Sequence, residues 1–145
     1  MPLDEQRSHW DLKYEQGLPS LEKPDPFYMS AFDQFVADSF PNGGTALDLA
    51  GGIGRHALWL AKRNWQVTVV DISEVAIQKL GQKARQLDLA LDLFALDAKE
   101  YPFKPAYFDL IVMLLLRSRH LSEGAIVAED RRLFDLQEQC ELGFL

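Results

Sequence analysis

The positions able to do chemistry cluster in the middle of the chain. Asp48 sits inside an apolar run, Thr45-Ala46-Leu47-Asp48-Leu49, and Ala50-Gly51-Gly52-Ile53-Gly54 follows at once. A carboxylate in an apolar strand is costly unless it is paired. Glycines remove side chains, so the backbone can turn sharply and lie against a ligand. The N-terminus of a following helix adds free N–H groups and a positive dipole. Asp71 stands seventeen residues beyond Gly54, and a carboxylate there can accept hydrogen bonds from a ribose diol. Asp97, in Leu96-Asp97-Ala98, could accept from an adenine amino group. Together these residues offer a backbone cradle, a ribose acceptor and a base acceptor. Each also has a structural reading: a satisfied acceptor for Asp48, a plain strand-to-helix turn for the glycines, and caps or turns for Asp71 and Asp97.

The elements that must position them alternate in type. Helical spacing runs from Phe27 to Phe40 and stops at Pro41-Asn42-Gly43-Gly44. A buried strand is expected over 45–49, a helix over 55–64 and a strand over 66–70 ending at Asp71. A helix then starts with Ser73 as N-cap and reaches about Leu87, and further strands are expected over 91–95 and 108–116. Strand–helix repetition with short turns predicts an α/β fold, a Rossmann-like doubly wound parallel sheet. Right-handed crossovers put all strand carboxyl ends on one edge, where ligands of open sheets bind. Residues 1–43 read as an N-terminal arm and helix, and 44–145 as the nucleotide-binding part of what is overall one domain.

The 145 residues carry a formal net charge of −7. The arm concentrates the acidity: Arg7, Lys13 and Lys23 face Asp4, Glu5, Asp11, Glu15, Glu22, Asp25, Asp33 and Asp38. That sign disfavours a nucleic-acid partner. The single cysteine, Cys140, allows neither an internal disulfide nor a multi-cysteine metal site, and reads as a small apolar residue on an amphipathic stretch. No apolar run is long enough for a membrane span, and the N-terminus lacks a signal-like core, so a cytoplasmic protein is expected. His9, His56 and His120 have no ligand-spaced partners and read as structural or surface residues, with no metal site expected. Trp59 and Trp65 read as packing residues.

Two cofactors fit three such strand ends. Gly52-Ile53-Gly54-Arg55-His56-Ala57 satisfies the dinucleotide pattern G-x-G-x-x-(G/A). Against NAD stand the polar Asp48 near the strand end, the single mononucleotide half, and an Asp97 that would be spare. S-adenosylmethionine accounts for all three. The run ALDLAGGIGRHALWLAKRNWQVTVVDIS resembles the first two motifs of class I S-adenosylmethionine-dependent methyltransferases, with Asp48, Ala50, Gly52 and Gly54 on the acidic-x-(Gly/Ala/Cys)-x-Gly-x-Gly pattern. LFALDAKEYPF followed by FDLIV resembles the third motif and fourth strand. The arm HWDLKYEQG, with PDPF beyond it, is similar to the small-molecule branch that includes tellurite-resistance and thiopurine-type enzymes.

The resemblance implies that Asp48 and the backbone of Ala50, Gly51 and Gly52 hold the methionine moiety. It implies that Asp71 binds the ribose, Ile72 packs on the adenine, Asp97 meets the adenine amino group and the Ala98 N–H a ring nitrogen. Trp10 and Tyr14 would cover the substrate side. Leu114 stands where the family often has a small polar residue near the methyl donor. The acceptor expected is a small molecule, with neither nucleic acid nor membrane as partner, and no catalytic base is identified. After the fourth strand the sequence gives no further strand pattern, only one helix over about Ala125–Glu141. The sheet is therefore expected to be truncated there, with an open fourth-strand edge suited to a homodimer. The alternatives are a cofactor-binding but catalytically weak domain, an NAD-dependent oxidoreductase domain, and a pure interaction module.

Overall fold

The computed structural model describes residues 2–17, 23–117 and 121–127. Its elements are α1 (Leu3–Gln16), α2 (Pro26–Phe35), β1 (Thr45–Leu49), α3 (Arg55–Ala61), β2 (Gln66–Asp71), α4 (Glu74–Gln86), β3 (Asp92–Ala95), β4 (Leu110–Arg117) and β5 (Leu121–Val127), with a short 3-10 turn at Ala98–Glu100. The sheet order is β3-β2-β1-β4-β5. β1 to β4 are mutually parallel, with Asp48 in register with Val69 on one side and Val112 on the other. The chain winds outward from β1 through β2 to β3 and then returns to β1's other side as β4. This doubly wound order places the topological switch point between β1 and β4, the crevice where such sheets take ligands.

Local chemistry accounts for the helix starts. Asp25 caps α2, its Oδ1 accepting from the Phe27 N–H at 2.8 Å, with Pro26 in the first turn where its missing donor costs nothing. The Ser73 hydroxyl caps α4 by accepting from the Ala76 N–H at 3.0 Å, and Lys83 and Arg85 occupy the last turn, where cations suit the dipole.

Strand alternation divides the core. Ala46, Val67, Val69, Leu110 and Val112 face α2, α3 and α4, packing with Tyr28, Phe32, Leu60 and Leu80. Leu47, Leu49, Val70, Ile111 and Met113 face the other way, against Leu96, Tyr101, Phe103 and Phe108 from the segment between β3 and β4. Trp65 is buried and Trp59 packs against the first cluster, as expected of packing residues.

One element was not anticipated and two expectations need correction. The start of the arm, for which the sequence suggested no particular element, forms the fourteen-residue helix α1. Its residues are good helix formers, but it is polar nearly all round, so hydrophobic periodicity gave no signal. A strand does follow the fourth: β5 pairs antiparallel with β4 from Ile111↔Val127 to Arg117↔Leu121. The edge of β4 expected to be open to a second copy is therefore covered, and the sheet does not stop at four strands. The helix expected from Ala125 begins inside this strand, and its remainder lies outside the described residues. Among the described residues no helix is long and apolar enough to cross a membrane.

Candidate functional site

At the end of β1 the Asp48 side chain points to the helical face and is 1% exposed. It accepts a hydrogen bond from the Ala57 N–H in the first turn of α3, while its Oδ2 has no partner among the described residues. Burial, then the nearby Asp71 charge, push its pKa up to about 7, although Arg55 and the Ala57 N–H pull the other way. A buried acceptor left unmade is expensive, so Asp48 is the most strained polar group of this edge.

The glycine turn beside it is closely packed. A Cβ on Gly51 would lie 2.6 Å from Val69 Cγ1 and 3.0 Å from Asp48 Oδ2, and one on Gly52 would lie 2.5 Å from the Tyr14 hydroxyl. Gly52 and Gly54 also take φ of 57° and 78°, the left-handed region that side chains disfavour. The turn's donors are used internally. The Ala50 and Gly51 N–H groups donate to the Val70 carbonyl at 2.8 and 3.4 Å, and Gly52 N–H donates to Asp71 Oδ2 at 2.8 Å. Asp48 and the glycine turn are thus brought together as expected, with a carboxylate rather than these three N–H groups left as the unsatisfied polar element.

Asp71, at the end of β2, is also buried, but both oxygens are engaged: Oδ2 by Gly52 and Oδ1 by the Ser73 N–H at 2.9 Å. Burial raises its pKa; the two N–H donors oppose the shift, and Asp11 adds to it. The next residue, Ile72, offers its carbonyl to Arg7 Nε of α1 at 3.3 Å. At the third strand end, Asp97 caps the 3-10 turn by accepting from the Lys99 N–H at 2.9 Å. Ala98 packs with Leu96 and Tyr101 against the second core. Asp97 therefore stands on the same sheet edge, with a structural task visible.

The arm reaches the same place. Tyr14 is buried, its hydroxyl against the Gly52 backbone, and burial together with the Asp71 and Asp48 charges keeps that phenol protonated. The Tyr14 carbonyl accepts from Lys79 of α4. Trp10, one turn earlier, packs with Tyr14, and Ile53 and Val75 pack against the same Tyr14–Ala76 cluster. Four residues here escaped the sequence reading. Asp11 Oδ1 accepts from Ser73 Oγ at 2.5 Å and from the Val75 N–H at 3.2 Å, so a residue of α1 joins the cap of α4. Arg7, Asp11 and Tyr14 recur at helical spacing, a signal that was available but lay among polar rather than apolar residues. Arg55 lies 4.0 Å from Asp25 and supplies the opposing charge near Asp48. Tyr28 of α2 is fully buried, its ring centroid 4.4 Å from that of His56 and tilted 45° to it, and its hydroxyl also lacks a partner among the described residues.

His56 accepts from the Asp25 N–H at 3.1 Å, and burial, then the Arg55 charge, lower its pKa to about 4, so it is a neutral structural histidine. His9 is exposed against Trp10. His120 and Cys140 lie outside the described residues, and the side chain at Leu114 is likewise undescribed. Among the described residues no cluster of His, Cys, Asp or Glu is arranged to hold a metal.

Known proteins resemble this chain in sequence and fold. A 23S rRNA (uracil(747)-C(5))-methyltransferase of Pyrococcus abyssi is 26% identical over 111 residues, covering 57% of this chain and 27% of its own. A structure solved for the conversion of a disulfide bond into a thioacetal group during echinomycin biosynthesis superposes with a TM-score of 0.63 at 24% identity, over 77% of this chain and 47% of its own. The magnesium protoporphyrin IX methyltransferase of Synechocystis PCC 6803, with bound SAM, gives 0.53 at 24% identity, over 61% and 42%. The chain thus spans less than half the length of these relatives, and at such identities the structural likeness carries the fold. A family model described as a methyltransferase domain matches residues 46–134, more than half of the chain. The chain belongs to that methyltransferase domain family.

Proposed function

We propose that this chain carries out S-adenosylmethionine-dependent methyl transfer to a small-molecule acceptor. One observation carries the choice of cofactor: the glycine turn leaves a buried carboxylate oxygen unpartnered while its own N–H groups are engaged. A dinucleotide pyrophosphate needs donors at this turn and would be repelled by Asp48. A ligand carrying an ammonium and a sulfonium meets the opposite situation, because Asp48 and Asp71 form an electronegative floor with Arg55 as partial counter-charge. The close-packed glycines leave backbone, not side chain, along that floor.

When bound, S-adenosylmethionine supplies a methyl group already activated by its positive sulfur. The residues of this chain align and shield it. Asp48 takes the cationic amino-acid end, and Asp71 holds the turn and the ribose side. Ile72, Asp97 and Ala98 surround the base, and Gly51, Gly52 and Gly54 give the turn its shape. Trp10 and Tyr14 close the site from the arm and limit water. The acidic residues of α1, among them Asp4, Glu5, Asp11 and Glu15, favour a small acceptor over a polyanion. That the rRNA-modifying relative matches little more than half of this chain leaves nucleic acid as the competing acceptor class.

Calorimetric titration with S-adenosylhomocysteine and, separately, NAD tests the reading. Binding of S-adenosylhomocysteine alone is the expected result; binding of NAD alone would replace the methyltransferase reading with an oxidoreductase one. Binding without turnover on any acceptor would leave the catalytically weak domain as the better description.

A further inference from the structure

Two buried polar atoms on the helical face of the sheet lack partners among the described residues: Asp48 Oδ2 and the Tyr28 hydroxyl. Their residues are 1% and 0% exposed. Tyr28 is carried by α2, which packs on β1 through the same cluster that holds Ala46, two residues before Asp48 and on the same face. Its ring is fixed by three aromatic neighbours, His56 at 4.4 Å, Trp59 at 5.6 Å and Phe32 at 6.2 Å. His56 is itself tied to the α2 cap through the Asp25 N–H. The phenol is therefore held rigidly within the field of the Asp48 carboxylate, and burial, then that charge, keep it protonated and a donor.

An apolar residue of the same shape would serve packing better than a hydroxyl with no partner, because an unmade buried donor is destabilising. A ligand group that donates to Asp48 and accepts from Tyr28 would satisfy both atoms at once. An α-amino acid does this, with an ammonium beside a carboxylate. We infer that Tyr28 is a specificity-determining residue that donates a hydrogen bond to the carboxylate of the ligand's amino-acid end, opposite the Asp48 contact to its ammonium. The inference rests on the cofactor reading proposed above and adds a residue on α2 to it.

The test compares wild type and Tyr28→Phe for S-adenosylhomocysteine and for 5′-methylthioadenosine, which keeps the nucleoside and lacks the amino-acid end. A hydrogen bond to a charged group is worth roughly a tenfold to hundredfold change in affinity. Tyr28→Phe should weaken S-adenosylhomocysteine by that factor and leave 5′-methylthioadenosine unchanged. The ring contacts survive the substitution, so the melting temperature of the ligand-free variant should be equal or higher. Equal affinity of both proteins for S-adenosylhomocysteine would overturn the assignment, as would an equal loss for both ligands or a lowered melting temperature. If wild type bound neither ligand, the cofactor reading itself would fall, and the Tyr28 assignment with it.

Discussion

Asp48 and Asp71 are the same residue type, one strand apart on one sheet edge, both buried, and their situations are opposite. Asp71 is closed into the protein: Gly52 and Ser73 donate to its two oxygens, so it ties the β1 turn to the β2 turn. Asp48 has the Ala57 N–H on one side and nothing among the described residues on Oδ2. A satisfied buried carboxylate holds its surroundings in place, whereas an unsatisfied one is a standing penalty that a cationic ligand can relieve. Position at a strand end therefore does not by itself decide whether an acid serves the fold or the ligand. Partner accounting does.

The largest effect should come from Asp48→Asn. Removing one partner of a buried charge pair costs about 3–5 kcal/mol, so S-adenosylhomocysteine affinity should fall by about two orders of magnitude or more in a titration. The ligand-free variant should melt higher than wild type at pH 8, because a buried charge has been removed. A variant that bound normally, or melted lower, would place Asp48 in the same class as Asp71.

Asp71→Asn should reverse that pattern. Gly52 and Ser73 donate to different oxygens of Asp71, and in asparagine one of those positions becomes an NH2 that would confront the N–H facing it. The expected loss is about 1–3 kcal/mol of stability, seen as a lower melting temperature without ligand. Ligand affinity should fall as well, since the turn geometry depends on this residue. Unchanged stability with a large affinity loss would show that Asp71 acts chiefly on the ribose.

The pH dependence sharpens the contrast. Asp48 is raised to about 7 in the folded state, against about 3.9 for an unfolded aspartate. Its contribution to stability is thus fully present below about pH 4 and is lost as pH rises through 7. His56 runs the other way. Lowered to about 4 from about 6.5 when unfolded, it contributes stability above pH 6.5 that is lost as pH falls through 4. Wild type combines both trends between pH 4 and 7. In Asp48→Asn the Asp48 limb is gone and the His56 rise is opposed only by the likewise raised Asp71, so the melting temperature should respond more positively to rising pH than in wild type across that window. Binding should follow the Asp48 charge, with wild-type affinity for S-adenosylhomocysteine increasing from pH 6 to 8 and the Asn variant flat.

The strands and the glycine turn were legible because their signals are local. Thr45–Leu49 is an apolar run with an acid inside it, Gln66–Asp71 is one ended by an acid, and Ser73 is a readable cap. Asp48 and Asp71 could be named from the sequence but not told apart, since the difference lies in which N–H groups reach each oxygen across the fold. α1 was missed because its docking face is Arg7, Asp11 and Tyr14 rather than an apolar stripe. Those side chains meet Ile72, Ser73 and Gly52, 65, 62 and 38 residues away, and such contacts leave no periodicity behind. β5 was missed for a related reason: Leu121–Val127 contains Glu123 and Gly124 and lacks strict alternation, and only its pairing with β4 makes it a strand.

The third strand-end acid gives the smallest effect and the finest division between the two classes. Asp97 resembles Asp71 in capping a turn, through Lys99, but its bond lies at the surface and engages one oxygen. Asp97→Ala should therefore cost only about 0.5–1 kcal/mol of stability. If the other oxygen meets the adenine amino group, S-adenosylhomocysteine affinity should fall by about tenfold, the worth of one net hydrogen bond. An inosine analogue, which carries an oxygen in place of that amino group, discriminates further. It should bind wild type more weakly than S-adenosylhomocysteine does, because two acceptors then face each other, and Asp97→Ala should narrow the gap. An unchanged gap would assign Asp97 to the turn alone, leaving Asp48 as the strand-end acid with an oxygen that no donor among the described residues reaches.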